Sequence, residues 1–512
     1  MPQINRSAGV LLHPSSLPGN HAIGEIGPEA YRWLDLLAEC EQKVWQVLPL
    51  GPTGYGNSPY QSPSTFAGNP LLISLDLLVE DGLLESEELR EIPPLDPSHV
   101  DFGAAVWHRP PLLKRAADRF QARTSNAEED EQFRIFCEKE AHWLDDYALF
   151  AAIKADQEMR PWWLWPEGLA QRDSEPLTEA AERLSDSIEE IKVTQFFFDR
   201  QWLALRKYAA GLGIQIVGDV PIFVAHDSAD VWAGRELFHL DAEGNPTVVA
   251  GVPPDYFSAT GQLWGNPLYD WNYHRATDYE WWIRRMQKAL QWVDLIRIDH
   301  FRGFAAYWEV PADEDTAMNG KWVDGPRAEL FQAFTQTFGK NLPIIAEDLG
   351  VITDDVVELR DQFELPGMRV LQFAFGADSL AEEYIPENYP PNSVAYTGTH
   401  DNDTTMGLFQ SEAGDGGSTR TQEQVDAERR TILNYTKTDG SELNWDYIRA
   451  ISHSNSNLAI YPLQDVIGLG SEARMNTPGI PEGNWGWRFT WDMITPRLQG
   501  KLRGVTRTSN RA

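Results

Sequence analysis

The sequence has few of the features that mark secreted, membrane-bound or metal-cluster proteins. Only two cysteines, Cys40 and Cys137, occur in 512 residues, which is too few for a disulfide framework or a cysteine-ligated zinc cluster. No apolar run approaches the roughly 20 residues that a membrane span needs. Residues 1–7 lack the basic segment and apolar stretch of a secretory signal. We therefore expect a cytoplasmic protein that does not associate with a membrane.

Basic residues are also scarce relative to acidic ones. The chain has 43 Lys and Arg residues against 77 Asp and Glu residues, which gives a formal net charge of −34. Because phosphate binding needs a basic surface, no nucleic-acid partner is expected and a neutral or cationic substrate is favoured. An adaptation for solubility or salt would produce the same excess of acidic residues.

Aromatic residues, in contrast, are abundant. The sequence contains 20 Trp, 16 Tyr and 22 Phe. Most of them must belong to the core of a chain this long, but flat rings with a polar edge also suit the apolar faces of sugars. The composition therefore makes a carbohydrate a reasonable class of ligand.

Eight short apolar segments recur along the chain in the manner of barrel strands. They lie within 9–12, 44–49, 214–221, 293–299, 342–350, 368–375, 393–403 and 458–463. Helical patterns such as 28–37 and 200–210 separate them. Alternating strands and helices predict an α/β fold, a single (β/α)8 TIM barrel that spans residues 1–512.

Two long stretches interrupt this repeat. Residues 76–195 are mostly helical in pattern and acidic, and they predict a mainly helical insertion subdomain packed on the barrel. Residues 226–290 predict an active-site loop and helix insertion between the third and fourth strands, with 251–267 as a long irregular loop rich in aromatics. The roughly 50 residues after Leu463 are too few for a C-terminal β-sandwich.

Four carboxylates fall near the C-terminal ends of predicted strands: Asp219, Asp299, Glu347 and Asp401. In a TIM barrel these ends share one face, where active sites lie. Neighbouring carboxylates raise one another's pKa, so that one can act as an acid beside an ionised nucleophile, as in retaining glycoside chemistry. Taken alone, Arg297 and Asp299 are equally consistent with a structural ion pair. The residues also leave a carboxylate-bound calcium or magnesium ion open, whereas no HExxH motif supports a transition metal.

Several motifs resemble those of the 4-α-glucanotransferases, the amylomaltase or disproportionating-enzyme family, glycoside hydrolase family 77, which is related to the α-amylases. They are 297–300 (RIDH), 345–350 (IAEDLG) and 399–404 (THDNDT), together with the loops 52–60 and 251–267, and they occur in the family's order. The resemblance extends from the His13-Pro14 turn to the last predicted strand.

This resemblance implies a retaining transfer of an α-1,4-glucan segment from a donor maltodextrin to the 4-hydroxyl of an acceptor, through a covalent glucosyl-enzyme. It implies Asp299 as the nucleophile, Glu347 as the general acid/base and Asp401 as the carboxylate that stabilises the transition state. No metal or other cofactor is implied, and the partners are α-1,4-glucans and maltooligosaccharides. A hydrolase, a non-catalytic carbohydrate-binding protein and a metal-dependent barrel enzyme are the alternatives.

The resemblance also implies residues that surround the substrate. Arg297 would keep Asp299 ionised through a charge-assisted hydrogen bond. The implied sugar contacts are His300, His400, Asp219 and Tyr60 next to the cleaved bond, and Asp255, Phe257 and Trp264 on the acceptor side. Tyr55 would belong to a second glucan site outside the cleft.

Overall fold

A computed structural model describes residues 5–93, 95–123, 127–254, 260–376, 381–415, 420–480 and 482–512. The strands within these ranges are β1 (Ser7–Leu11), β2 (Val44–Gln46), β3 (Gln215–Pro221), β4 (Val248–Val252), β5 (Gln262–Pro267), β6 (Leu295–Asp299), β7 (Ala306–Pro311), β8 (Lys321–Asp324), β9 (Ile344–Ala346), β10 (Gly367–Val370), β11 (Ser393–Tyr396) and β12 (Leu458–Pro462).

Eight of these strands form a closed barrel in the order β1-β12-β11-β10-β9-β6-β3-β2. All eight neighbouring pairs are parallel. Each of the eight predicted segments overlaps one barrel strand, which confirms the (β/α)8 prediction. The reason is visible in the side chains, because the strands are short apolar runs whose residues are almost all buried between the barrel interior and the surrounding helices.

The α-helices are α1 (Pro28–Glu39), α2 (Leu75–Glu80), α3 (Phe102–Ala122), α4 (Ala127–Asp156), α5 (Glu167–Ala170), α6 (Ser174–Arg183), α7 (Ser185–Gly211), α8 (Ala229–Ala233), α9 (Trp271–Ala276), α10 (Glu280–Trp292), α11 (Ala328–Phe338), α12 (Asp354–Gln362), α13 (Thr405–Gln410), α14 (Gln422–Thr436), α15 (Leu443–His453), α16 (Leu463–Ile467) and α17 (Pro496–Thr508). Among the described helices, none combines the length and the apolar character needed to cross a membrane. Both cysteines are free thiols.

Helices α2–α7 occupy the chain between β2 and β3. The long helices α3, α4 and α7 pack through aromatic side chains, with the Phe120 ring centroid 5.6 Å from that of Phe197 and 5.8 Å from that of Phe196. The stretch is mainly helical, in line with its sequence pattern. Its division from the barrel as a subdomain of residues 76–195 stays a prediction.

The expectation of an irregular loop at 251–267 was wrong for the residues that the structure describes. Strands β4 and β5 pair antiparallel there, and β4 also pairs with β7, which in turn pairs with β8. The result is a four-stranded antiparallel sheet in the order β5-β4-β7-β8 beside the barrel. The full sheet could not be predicted from a local pattern because β7 and β8 come only after the next barrel strand, so one of the two hydrogen-bonding partners of β4 is distant along the chain.

After β12, the described chain contains helices α16 and α17 and no β-strand, which agrees with the expected absence of a C-terminal β-sandwich. Arg511, near the C-terminus, is fully buried and joins the start of the barrel to its end. Its guanidinium donates to the carbonyl oxygens of Ser7 at 3.0 Å, Asn457 at 3.0 Å, Ser456 at 2.7 Å and Ser452 at 2.7 Å. Arg511 therefore links β1, through Ser7, to the segment that leads into β12.

We predict that Arg511→Met lowers the free energy of unfolding by about 3 kcal/mol, because the substitution leaves several buried carbonyl oxygens without donors. Denaturant unfolding followed by circular dichroism measures the change. The matched control is Arg507→Met, which removes only an exposed ion pair with Glu41 and should cost less than about 1 kcal/mol. Equal effects of the two substitutions would contradict the role of Arg511 in linking these segments.

Candidate active site

The nucleophile candidate Asp299 is joined to a neighbouring strand through Arg297. Strands β3 and β6 pair so that Asp219 lies opposite Arg297 and Pro221 opposite Asp299. Arg297 Nη1 donates to Asp219 Oδ2 at 2.6 Å, and Arg297 Nη2 donates to Asp299 Oδ1 at 2.9 Å. The guanidinium is buried between the two carboxylates. The ion pair considered from the sequence is therefore present, and it has a second acidic member.

Glu347 follows β9, the strand next to β6 on the other side. Its backbone N–H donates to the Ile298 carbonyl at 3.1 Å, which places it beside the end of β6, the strand that carries Asp299. Its carboxyl accepts two backbone hydrogen bonds, one from His300 N–H to Oε2 at 2.6 Å and one from Leu349 N–H to Oε1 at 2.9 Å. His300 lies in the left-handed region at φ 55°. In this backbone conformation, the His300 N–H is directed at the Glu347 carboxyl.

Burial raises the pKa of both carboxyls, which differ in their hydrogen-bond partners. Desolvation raises the pKa of Glu347 to about 8, with the Asp299 charge adding to the increase and Arg297 opposing it. Desolvation also raises the pKa of Asp299, and the Arg297 guanidinium is again the largest opposing influence, while the charges of Asp219 and Asp401 add to the increase. Since Arg297 bonds directly to Asp299, the ionised form is favoured there. With a pKa of about 8, Glu347 is protonated at neutral pH, and it lies beside Asp299, which has the Arg297 guanidinium as a direct partner.

Asp401 lies in the loop after β11 and is the most accessible of these carboxylates, with 42% of its side chain exposed. Asn476 Nδ2 donates to Asp401 Oδ1 at 2.7 Å, and Arg474 Nη2 donates to the Asp401 carbonyl at 2.7 Å. His400 Nε2 lies 3.3 Å from Asp401 Oδ1. The loop after the last barrel strand thus fixes the position of Asp401.

Tyr60, His400 and Trp485 form an aromatic cluster next to these carboxylates. The Tyr60 hydroxyl donates to Asp219 Oδ2 at 2.9 Å. Its ring stacks on the His400 imidazole with ring centroids 5.1 Å apart, and the ring centroid of Trp485 lies 5.8 Å from that of Tyr60. The cluster therefore gives one side of the site a rigid apolar surface with a polar edge.

The remaining predicted residues fall in three groups. Trp264, on β5, contacts the His300 imidazole edge-to-face with centroids 4.7 Å apart. Tyr55 is 80% exposed on a short helical turn and contributes to the surface of the molecule. Asp255 and Phe257 lie outside the described residues.

Sequence reasoning missed the residues that hold these side chains in place: Arg474, Asn476, Trp485 and Asp348. Asp348 is buried, accepts from Met368 N–H at 2.7 Å, and pairs with Arg360 at 2.6 Å. It thereby ties the start of the loop that carries Glu347 to β10. A sequence signal did exist for the 474–485 segment, because it follows the last barrel strand at the end of the barrel where active sites lie.

One group of side chains among the described residues is arranged closely enough to share a metal ion, and it consists of His21, Glu25 and Asp76. It includes none of the active-site carboxylates. Arg109 Nη1 already donates to Glu25 Oε1 at 2.6 Å, so a cation is part of this group. The site around Asp299 has its own positive charge in Arg297.

The chain is similar to known proteins along nearly its whole length. A family model described as 4-alpha-glucanotransferase matches residues 12–494. A 4-alpha-glucanotransferase of Synechocystis sp. is 48% identical over 504 residues, covering 98% of this chain and 97% of the relative. A 4-alpha-glucanotransferase of Thermus thermophilus is 48% identical over 511 residues, covering 99% and 100%. The solved amylomaltase from Streptococcus agalactiae in complex with acarbose matches with a TM-score of 0.93 at 38% identity, covering 99% and 100%.

We predict that Arg297→Met lowers kcat/KM on an α-1,4-glucan by about a thousandfold and moves the acidic limb of the pH profile to higher pH. Without the guanidinium, the charge of Asp219 acts on Asp299 unopposed, so the pKa of Asp299 rises and its ionised form is lost at a higher pH. Initial rates measured from pH 4 to pH 8 test this prediction.

The control for this prediction is Arg275→Met, which removes a surface ion pair with Glu329 and should leave the pH profile unchanged. An acidic limb that stays in place in Arg297→Met would show that Arg297 does not govern the charge of Asp299.

Proposed function

The chain belongs to the 4-alpha-glucanotransferase family, and from this premise we propose that it transfers a segment of an α-1,4-glucan between chains by way of a covalent intermediate on Asp299. The transferase activity is that of the family. The assignment of individual residues to steps is our proposal. The observation that carries it is the pair of neighbouring strands that present Asp299 bonded to a guanidinium and Glu347 in an environment that keeps it protonated.

In the first step, an Asp299 carboxylate oxygen attacks the anomeric carbon of the donor as the glycosidic bond breaks. The Glu347 carboxyl gives its proton to the departing glycosidic oxygen, which leaves as the 4-hydroxyl of the released chain. Arg297 supports this step because its hydrogen bond keeps Asp299 ionised until the bond to the sugar forms. Asp401, held by Asn476, contributes negative charge that stabilises the oxocarbenium-like transition state and binds sugar hydroxyls.

In the second step, the same groups act in reverse. The Glu347 carboxylate takes the proton from the 4-hydroxyl of an acceptor glucan, and that oxygen attacks the anomeric carbon and displaces Asp299. Two inversions at one carbon give retention of configuration. The enzyme ends with Glu347 protonated and Asp299 ionised, ready for the next donor.

The surrounding residues suit a sugar on both sides of the reaction centre. We propose that Tyr60, His300, His400 and Asp219 contact the glucose unit on the donor side, since the Tyr60 ring and hydroxyl are already oriented by His400 and Asp219. Trp264, which contacts His300, would flank the acceptor side together with Asp255 and Phe257. The exposed ring of Tyr55 would bind glucan outside the cleft.

We also propose the cellular setting and organisation of the protein. A cytoplasmic enzyme acting on maltooligosaccharides and longer α-1,4-glucans, without nucleic-acid or membrane partners, fits the composition and the formal charge of −34. The proposed organisation is one catalytic barrel over 1–512, with a mainly helical subdomain at 76–195 and an active-site insertion at 226–290.

Maltotriose as the sole substrate tests the transfer. We predict glucose and a ladder of longer chains with no gain in total reducing ends, because each bond broken is replaced by a new one. Asp299→Asn should lower the rate by at least about ten-thousandfold while retaining glucan binding, since only the nucleophile is lost. Chromatography of the products and a reducing-end assay follow the reaction.

The matched control is Asp313→Asn, an exposed carboxylate, which should have wild-type rates. A steady rise in reducing ends with the wild-type protein would identify a hydrolase instead. Unchanged product formation by Asp299→Asn would refute the role given to this residue.

A second prediction concerns the alkaline side of the pH profile of kcat/KM, which depends on the protonation of Glu347. With a pKa of about 8, the carboxyl is protonated below that pH and loses its proton as the pH rises through it, so kcat/KM should fall above pH 8. Glu347→Gln should nearly abolish reaction of maltooligosaccharides but retain attack by Asp299 on an α-maltosyl fluoride, whose leaving group needs no proton. Equal loss on both substrates would contradict the role of acid.

A further inference from the structure

One row of residues crosses the four-stranded sheet beside the active site. In the β-ladder Leu263 of β5 lies opposite Gly251 of β4, Gly251 opposite Trp308 of β7, and Trp308 opposite Trp322 of β8. Directly opposed residues in antiparallel strands share a face of the sheet. The row therefore presents two indoles and a leucine on one face, over roughly 14 Å at about 4.8 Å per strand.

This row is partly open to solvent. Trp322 is 41% exposed and Leu263 is 37% exposed, which are large values for side chains of this size in a folded protein. Gly251, between Leu263 and Trp308, has no side chain of its own, and the side chains of Ala317 and Val310 lie over its position. The surface is consequently an interrupted apolar strip that is open at Trp322 and at Leu263, while Trp308 between them packs against the buried side chains of Val310 and Ala317.

The Trp322 ring is held in a fixed orientation. The Arg302 guanidinium carbon lies 3.9 Å from the Trp322 ring centroid, and the Trp308 ring contacts it edge-to-face with centroids 5.2 Å apart. Arg302 is itself buried. Since the indole is supported by the guanidinium and by Trp308, a ligand that stacks on its exposed portion would not have to order a mobile side chain.

Trp322 is also connected to the catalytic loops. Arg302 comes two residues after His300 and donates to the carbonyl of Val351, which lies in the loop that begins at Glu347. Val351 is exposed. The supported indole is thus next to the loop of the residue that protonates the departing chain, the side on which leaving and accepting glucans would bind.

We propose that Trp322, with Trp308 beside it, is an outer binding surface for the acceptor α-1,4-glucan, beyond the sugar that receives the transferred segment. The inference rests on the function proposed above. A neutral glucan fits this surface because the rings match the apolar faces of pyranoses and because the strip bears no charged side chain along its register row. Its consequence is a preference for longer acceptors.

The experiment compares acceptors of one and of five glucose units, each carrying a chromophore at its reducing end, with maltoheptaose as the donor. Trp322→Ala should raise KM for the five-unit acceptor by about tenfold, the loss of one stacked ring. KM for the one-unit acceptor should stay within about twofold, because that sugar does not reach the strip. The kcat values for both acceptors should change little.

Three variants separate binding from support of the fold. Trp322→Phe keeps an aromatic ring beside Arg302 and should restore most of the affinity for the five-unit acceptor. Trp322→Leu keeps an apolar side chain without a flat ring and replaces Trp322→Ala if the latter does not fold. Trp107→Ala removes a tryptophan that is 77% exposed on α3, and it should leave both KM values unchanged.

The outcomes distinguish the possible failures. A similar loss with both acceptors, or a fall in kcat alone, would mean that Trp322 only supports Arg302 and the loop of Glu347, and would overturn the proposal. No change with either acceptor would also overturn it. Absence of transfer to the one-unit acceptor by the wild-type protein would instead contradict the proposed function itself.

Discussion

The buried guanidinium of Arg297, shared between Asp219 and Asp299, is the interaction on which the rest of the site depends. Burying two carboxylates close together without a cation would protonate at least one of them. Arg297 bonds to both at 2.6 and 2.9 Å and so opposes the rise in the pKa of Asp299, the residue that we propose as the nucleophile, while Asp219 also accepts a hydrogen bond from Tyr60. The stacking of Tyr60 on His400 extends this arrangement toward Asp401.

Burial raises the pKa of both Asp299 and Glu347, but only the role proposed for Glu347 requires the protonated form. Desolvation raises the pKa of Glu347 to about 8, and its two hydrogen bonds from backbone N–H groups orient the carboxyl without supplying a full positive charge. The two carboxyls on adjacent strands thus differ in their partners, because Asp299 is bonded directly to a guanidinium and Glu347 accepts from backbone N–H groups. The proposed roles of acid for Glu347 and nucleophile for Asp299 require such a difference if both are to act at a single pH.

The four-stranded sheet adds a surface to this reaction centre. On one strand Trp264 contacts His300, and at the opposite edge Trp322 rests on Arg302, whose hydrogen bond to the Val351 carbonyl reaches the loop of Glu347. The aromatic abundance of the sequence is therefore divided between the interior and the surroundings of the cleft. A transferase must bind an acceptor glucan and not only water, and an extended surface beside the cleft would provide room for that glucan.

The sequence by itself determined the barrel and the identity of the chemical groups. Buried strands must be short apolar runs, and catalytic residues of a barrel follow their C-terminal ends, so Asp299, Glu347 and Asp401 could be proposed from spacing and motif. Only the tertiary structure decided what surrounds them. The shared guanidinium of Arg297, the hydrogen bond from Asn476 to Asp401, and the pairing of β4 with β7 join residues that are distant along the chain. A local sequence pattern identifies side chains that can form hydrogen bonds or ion pairs, whereas the closed barrel determines which of them come into contact.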